Sequence, residues 1–215
     1  MKRILSVAAL ILSLASTFPT QASENTVGKV SKNAQAVAPL QKGDRVPDGV
    51  LRTVAGKKVR LKKLLAEQPS LLIFYRGSWC PYCNAHLGAL QGIQKDLTAL
   101  GWRTLAISPD DATHLKEMAG KHELTYTLLT DRGLALAKKF GLVFRLDAMT
   151  QEKYRKWNIK LDEASGGSNQ DELPVPAAYL VGRDGTILFS HFDPDYKVRI
   201  DPKELLKAAQ EHRRD

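Results

Sequence analysis

Cys80 and Cys83 are the only two cysteines in the 215-residue chain, and they stand three positions apart with Pro81 and Tyr82 between them. Cysteines at that spacing, carried on consecutive turns of a helix, lie on one face about 5 Å apart, close enough to bond. Such a pair can work as an attacking thiolate and a second thiol that resolves the product. The spacing predicts an exposed nucleophile at Cys80 and a more buried partner at Cys83. An inert stabilising disulfide is the plain alternative, but closing so short a loop removes little entropy from the unfolded chain. Haem attachment needs a histidine directly after the second cysteine, and Asn84 is there. A structural zinc site needs four ligands. Only His86 is near; His114, His122, His191 and His212 are scattered singly. No metal and no cofactor is therefore expected, and His86 reads as a helix-face residue.

The flanking residues say what must hold the pair. Leu71-Leu72-Ile73-Phe74-Tyr75 is a short apolar run suited to a buried strand. After the pair, Leu87, Leu90, Ile93, Leu97 and Leu100 repeat at three and four residues, which predicts one long amphipathic helix ended by Gly101. Pro81 fits the first helical position, where its missing N–H costs nothing. Cys80 then falls at the N-cap, facing unpaired amides and the positive end of the helix dipole. That setting predicts a thiol more acidic than the free value of about 8.5.

The rest of the chain alternates strands and helices. Val50–Thr53 and Lys58–Leu61 predict a hairpin around Ala55-Gly56, followed by a short helical turn to Glu67. Trp102–Ser108 and Leu124–Leu129 read as strands, and Asp110-Asp111 cap a helix carrying Leu115 and Met118. Leu134–Phe140 is a helix stopped by Gly141. Ala177–Val181 and Thr186–Ser190 form a hairpin across Asp184-Gly185. Asp201-Pro202 opens the last helix. This alternation predicts an α/β fold with a mixed sheet covered on both faces, and ligands gather at the carboxyl ends of strands in such sheets. Residues 145–173 break the pattern as an insertion that either covers the thiol site, recognises a partner or decorates the surface.

Lys2-Arg3, the apolar run Ile4–Leu14 and Thr20-Gln21-Ala22 read as a signal peptide over residues 1–22. Residues 23–41 are expected to be a flexible leader, and 42–215 one domain. Export to an oxidising compartment, expected to be a periplasm, suits disulfide chemistry, with no stable membrane association after cleavage. The formal charge of +9 falls to +7 without residues 1–22. Its clusters at 57–63 and 153–160 read as solvated surface, or as a field that steers an acidic partner. Nucleic acid is not an expected partner, because no binding module is recognisable.

Taken together, these residues resemble the thioredoxin superfamily and, more narrowly, its peroxiredoxin-like branch, the alkyl hydroperoxide reductase/thiol-specific antioxidant group. The resemblance runs from about Gly43 to Ser190. It rests on Gly43-Asp44-Arg45-Val46-Pro47-Asp48, Trp79-Cys80-Pro81-Tyr82-Cys83, Ala106-Ile107-Ser108-Pro109-Asp110, Leu128-Leu129-Thr130-Asp131 and Lys139-Phe140-Gly141. It implies a thioredoxin-like fold: a central mixed sheet flanked by helices, an N-terminal β-hairpin, and an insertion before a strand preceded by a cis-proline, Pro176. It also implies catalysis by Cys80 and Cys83 in a site shaped by Trp79, Pro81, Tyr82, Arg76 and Pro176. The implied partners are a thioredoxin-like thiol donor and a peroxide or protein-disulfide substrate. Relatives are often dimers or larger, so an oligomer stays open.

The departures bear on the reaction. Ile73 and Gly77 stand where peroxiredoxins typically carry proline and a threonine or serine, seven and three residues before the attacking cysteine. Their companion arginine, near Pro176, is replaced by Ala177-Ala178-Tyr179, and Arg76 is the candidate substitute. Phe74 stands where thioredoxin carries a buried acid. A peroxidase working through a Cys80 sulfenic acid, a thiol-disulfide oxidoreductase, and a redox-sensing module without turnover all remain open. The length of the resemblance favours the peroxidase.

Overall fold

In the computed structural model, which describes residues 28–169 and 171–213, every residue of strand β3 (Ser70–Phe74) is buried. β3 runs parallel to β4 (Arg103–Ser108), which runs parallel to β5 (Thr127–Thr130). On its other side β3 pairs antiparallel with β8 (Ala177–Val181), and β8 with β9 (Ile187–Phe192). The hairpin β1 (Val50–Thr53) and β2 (Lys58–Arg60) joins the far edge through β5. The seven strands therefore lie in the order β2-β1-β5-β4-β3-β8-β9, a mixed sheet.

Alternation along β3 divides the core. Leu72 and Phe74 face one cluster with Leu61 and Leu65 of α1 (Leu61–Glu67) and Leu136 of α5 (Ala135–Lys139). Leu71 and Ile73 face the other. That second cluster contains Cys80 and Cys83, α2 (Pro81–Gln91), α3 (Gln94–Ala99), α4 (Ala112–Lys121) and the buried face of α8 (Pro202–Glu211). Period-two burial on a strand and period 3.6 on the helices put these groups together.

The long helix expected over 81–100 is two helices. Gly92 and Ile93 separate α2 from α3, with Ile93 at φ −105° and ψ 4°. Glycine is a poor helix former, and the break lets both Leu90 and Leu97 stay buried.

The predicted flexible leader falls partly on residues 28–41, which lie against the core. Ser31 bridges to Phe144, and the Ser31 amide donates to the Val143 carbonyl at 2.8 Å. Val30, Val37 and Leu40 pack on the first cluster. Gly141 is needed for this approach: its φ is +70°, and a Cβ there would stand 2.2 Å from the Ala38 carbonyl oxygen. The predicted signal segment, residues 1–22, lies outside the described residues. Among the described residues, no helix is long and apolar enough to cross a membrane.

Residues 145–173 form an excursion closed at its base by β6 (Val143–Arg145) pairing antiparallel with β7 (Glu172–Pro174). Within it stand α6 (Ala148–Lys156) and α7 (Leu161–Ala164). Its apolar side chains Leu146, Tyr154, Leu161 and Leu173 form a small cluster that takes in Trp79. The Asp111 amide donates to the Ala164 carbonyl at 2.8 Å, tying the excursion to the start of α4. Of the three readings of this segment, the packing on Trp79 fits a cover over the thiol site.

Candidate active site

The cysteines sit where β3 passes into α2. Cys80 is the N-cap, at φ −90° and ψ 110°, and Pro81 opens the helix. Cys83 is one turn on. Both thiols are free, and each residue is only 1% exposed. The expectation of an exposed Cys80 is thus corrected. The chain turns back over it through Arg76, itself 4% exposed. Tyr82, by contrast, is half exposed and meets Tyr196 edge-on at 5.6 Å.

Arg76 faces Cys80 directly, with Nη1 3.8 Å from Sγ. Its other amino group donates to the Tyr154 hydroxyl on α6. Three aromatic rings surround the guanidinium: Tyr196 at 4.0 Å, Trp79 at 4.9 Å and Tyr154 at 5.8 Å. Among the described residues no carboxylate comes within ion-pair distance of it. The rings hold a planar cation in place without neutralising it, so its charge acts on the sulfur. Arg199 approaches the second sulfur, with Nη2 3.6 Å from Cys83 Sγ.

These contacts separate the two thiols. Hydrogen bonding from the Cys83 side chain does most to hold the Cys80 thiol down, to about 6. Burial opposes it, while the charges of Arg76 and Arg199 help. Burial pushes Cys83 well up, and the neighbouring Cys80 adds to that. An acidic Cys80 was expected from the amides at the helix start; the Cys83 amide in the first turn does lower it, but ranks after the Cys83 thiol and the charge of Arg76. The pair titrates as a unit: one sulfur is anionic at neutral pH and the other keeps its proton.

The loop between β3 and Cys80 is held from β4. Asp110 accepts from the Ser78 amide at 2.8 Å and from the Ser108 hydroxyl at 2.9 Å. Burial lifts its carboxyl to about 6 against those hydrogen bonds. Ser78 also points its hydroxyl at Asp110, 3.4 Å away, and so does not replace the hydroxyl that Gly77 lacks. Gly77 is required here: at φ +146°, a Cβ would lie 2.5 Å from Trp79 Nε1 and 3.0 Å from Asp110 Oδ1. A threonine at this place is excluded by the same contacts.

Pro176 lines a cleft of about 250 Å³ whose wall includes Arg76, Phe144, Tyr154, Val175 and Tyr196. The Val175–Pro176 peptide is trans, which corrects the cis-proline that the resemblance implies. Trans is favoured by roughly 0.5–1 kcal/mol. The Val175 amide, donating to the Leu142 carbonyl at 2.9 Å, holds the chain extended from β7 into β8, so no reversal asks for cis. The His86 ring hydrogen-bonds the Ile200 backbone. Burial first, then the charge of Arg199, holds its imidazole down to about 4. No group of three or more metal-binding side chains occurs among the described residues.

Arg199, Tyr154 and Tyr196 escape reading from sequence. Tyr154 is 78 residues from Arg76 and Arg199 is 116 residues from Cys83, and neither sits in a motif.

Residues 42–190, more than two thirds of the chain, match the AhpC/TSA family. The chain belongs to the AhpC/TSA family. Among its relatives, peroxiredoxin Q of the chloroplast of Oryza sativa subsp. japonica is 30% identical over 128 residues. That stretch is 60% of this chain and 58% of the relative. The Arabidopsis thaliana peroxiredoxin Q is 29% identical over 138 residues, 58% of this chain and 63% of the relative. The chain thus spans little more than half the length of the curated AhpC/TSA relatives it matches. Solved structures share the fold. Peroxidoxin BcpB from Mycobacterium tuberculosis superposes with a TM-score of 0.64 at 19% identity, covering 81% of this chain and 99% of that one. Xanthomonas campestris peroxiredoxin Q gives 0.60 at 15% identity, covering 77% and 92%. The AhpC/TSA chain described here thus has the mixed sheet and flanking helices of that thioredoxin-like group.

Proposed function

We propose that this protein is a thiol-dependent peroxidase in which Cys80 reduces a hydroperoxide and Cys83 resolves the product. One observation carries the reading: a buried Cys80 sulfur is held anionic by the Cys83 thiol and by an arginine that no carboxylate pairs with among the described residues. The Cys80 thiolate attacks one peroxide oxygen, the O–O bond breaks, and the departing oxygen takes up a proton as alcohol or water. Cys80 becomes a sulfenic acid. Arg76 stabilises the charge as it moves from sulfur to the departing oxygen. Cys83 then displaces hydroxide from the sulfenic sulfur, giving a Cys80–Cys83 disulfide and water. Two electrons from an external thiol donor, a thioredoxin-like protein by the family resemblance, restore the dithiol.

The burial of Cys80, 1% exposed, favours a small oxidant over a protein disulfide in the first step; a protein thiol donor then requires the site to open in the oxidised form. We assign the protein to the periplasm on the strength of Lys2-Arg3, the apolar run after it and Thr20-Gln21-Ala22.

The reduced protein mixed with hydrogen peroxide, with an organic hydroperoxide or with insulin tests this. The expected second-order rate with peroxide exceeds that of a free thiolate by about a hundredfold, with slow reduction of insulin. Peroxide reacting no faster than a free thiolate, with rapid insulin reduction, would instead establish dithiol exchange.

A further inference from the structure

Each sulfur of the pair has its own arginine. Arg76, four residues before Cys80, serves the first. Arg199 comes from the segment between β9 and α8, and places Nη2 3.6 Å from Cys83 Sγ while Nη1 donates to the Val198 carbonyl at 2.7 Å. Among the described residues no carboxylate comes within ion-pair distance of Arg199. In the attack on peroxide Arg199 lends only a minor part of the charge that keeps Cys80 anionic, and Cys83, the sulfur it touches, is a protonated thiol at that stage. The second step calls for a cation at Cys83, since the thiol must lose its proton before it can attack.

We propose that Arg199 is a catalytic residue of the resolving step, its guanidinium stabilising the Cys83 thiolate that attacks the Cys80 sulfenic sulfur. The inference rests on the peroxidase reading for its place in the cycle. In that step the Cys83 S–H bond breaks and an S–S bond forms. The Cys80 S–O bond breaks, and hydroxide leaves with the proton as water. Each sulfur ends as a disulfide sulfur, the sulfenic one reduced and Cys83 oxidised. Once Cys80 is a neutral sulfenic acid its negative charge no longer opposes ionisation of Cys83, and Arg199 is then the cation in contact with that thiol.

The other groups around Cys83 do not take this role. Tyr75, at the end of β3, is itself pushed up by burial. Burial and Arg199 keep His86 neutral at pH 7, and burial does the same for His191 on β9. Arg76 offers Cys83 its backbone amide, while its side-chain charge lies on Cys80.

The test uses Arg199→Met and Arg199→Lys in the full chain. Reduced protein is mixed with peroxide, sampled with a sulfenic-acid trap and followed by mass. In Arg199→Met, disulfide formation is expected to slow by about tenfold or more, the equivalent of about 1.4 kcal/mol. The sulfenic acid accumulates, excess peroxide takes it on to the sulfinic acid, and Arg199→Lys recovers most of the rate. Disulfide formation in Arg199→Met at the wild-type rate and with the wild-type pH profile would overturn the proposal.

A second measurement is independent of peroxide. In a Cys80→Ser background, the pH midpoint for alkylation of Cys83 is expected to rise by about one pH unit on Arg199→Met. An unchanged midpoint overturns the role of Arg199 whatever the substrate is. Wild-type protein that forms no sulfenic acid, with the midpoint still moving, overturns the peroxidase reading alone.

Discussion

Cys80→Ser ends peroxide consumption altogether, while Cys83→Ser keeps the first step and stops there. With Cys83 gone, the sulfenic acid has no partner within reach, so each chain consumes about one equivalent of peroxide and then stalls or is oxidised further. Counting peroxide lost per chain, with the modified sulfur identified by mass, separates the two variants. The reason for the asymmetry is electrostatic. Burial raises Cys83 and the neighbouring anion adds to it, so it cannot stand in as the nucleophile. A Cys80→Ser protein that still consumed peroxide at a comparable rate would mean that the roles were misassigned. Serine keeps a hydroxyl donor where the thiol stood; Cys83→Ala, which removes the hydrogen bond that contributes most to the acidity of Cys80, is expected to make its single turnover more slowly at pH 7 than the wild-type first step.

Arg76→Met lowers the peroxide rate by roughly 10- to 100-fold, from the loss of a charged hydrogen bond worth about 1.5–3 kcal/mol. Arg76→Lys recovers little of it. A guanidinium can face Cys80 and the Tyr154 hydroxyl at once while its flat faces meet Tyr196 and Trp79; an ammonium cannot. The variant also moves the Cys80 thiol back towards its ordinary range, so the loss is larger at pH 6.5 than at pH 9. Stopped-flow rates across that range check this. A uniform loss at every pH would point to disturbed packing of the Trp79 cluster instead.

The acidity of Cys80 couples the site to stability. Its thiol is more acidic folded than unfolded, so the anion's stabilisation is complete above the unfolded value of about 8.5 and is lost as pH falls through about 6.

How much of this could be read from the sequence follows from how local each feature is. The passage from β3 through Cys80 and Pro81 into α2 is written in consecutive residues: an apolar run, a cap and a proline at the first helical place. Asp111 and Asp201, which cap α4 and α8, are equally local, each accepting from an amide of its own first turn. The helix after Cys83 was drawn too long because its apolar spacing continues unbroken across Gly92, and a spacing rule does not register a change of axis. Residues 28–41 read as unstructured because their hydrogen-bond partners, such as Val143 and Phe140, lie a hundred or more positions away. Separations of 116 and 78 residues likewise hide the arginine on Cys83 and the tyrosine on Arg76. The sequence offers Arg76 only as a candidate substitute, since the aromatic cage around it comes from three separate parts of the chain.

The Cys80 sulfur is an anion at neutral pH because Cys83 and Arg76 make it so. The most direct test of this is a titration of thiolate absorbance in the reduced wild-type protein, with Cys80→Ser as the reference. A transition near pH 6 is expected, and it is missing from Cys80→Ser. A single transition near the ordinary thiol value, about 8.5, would contradict it.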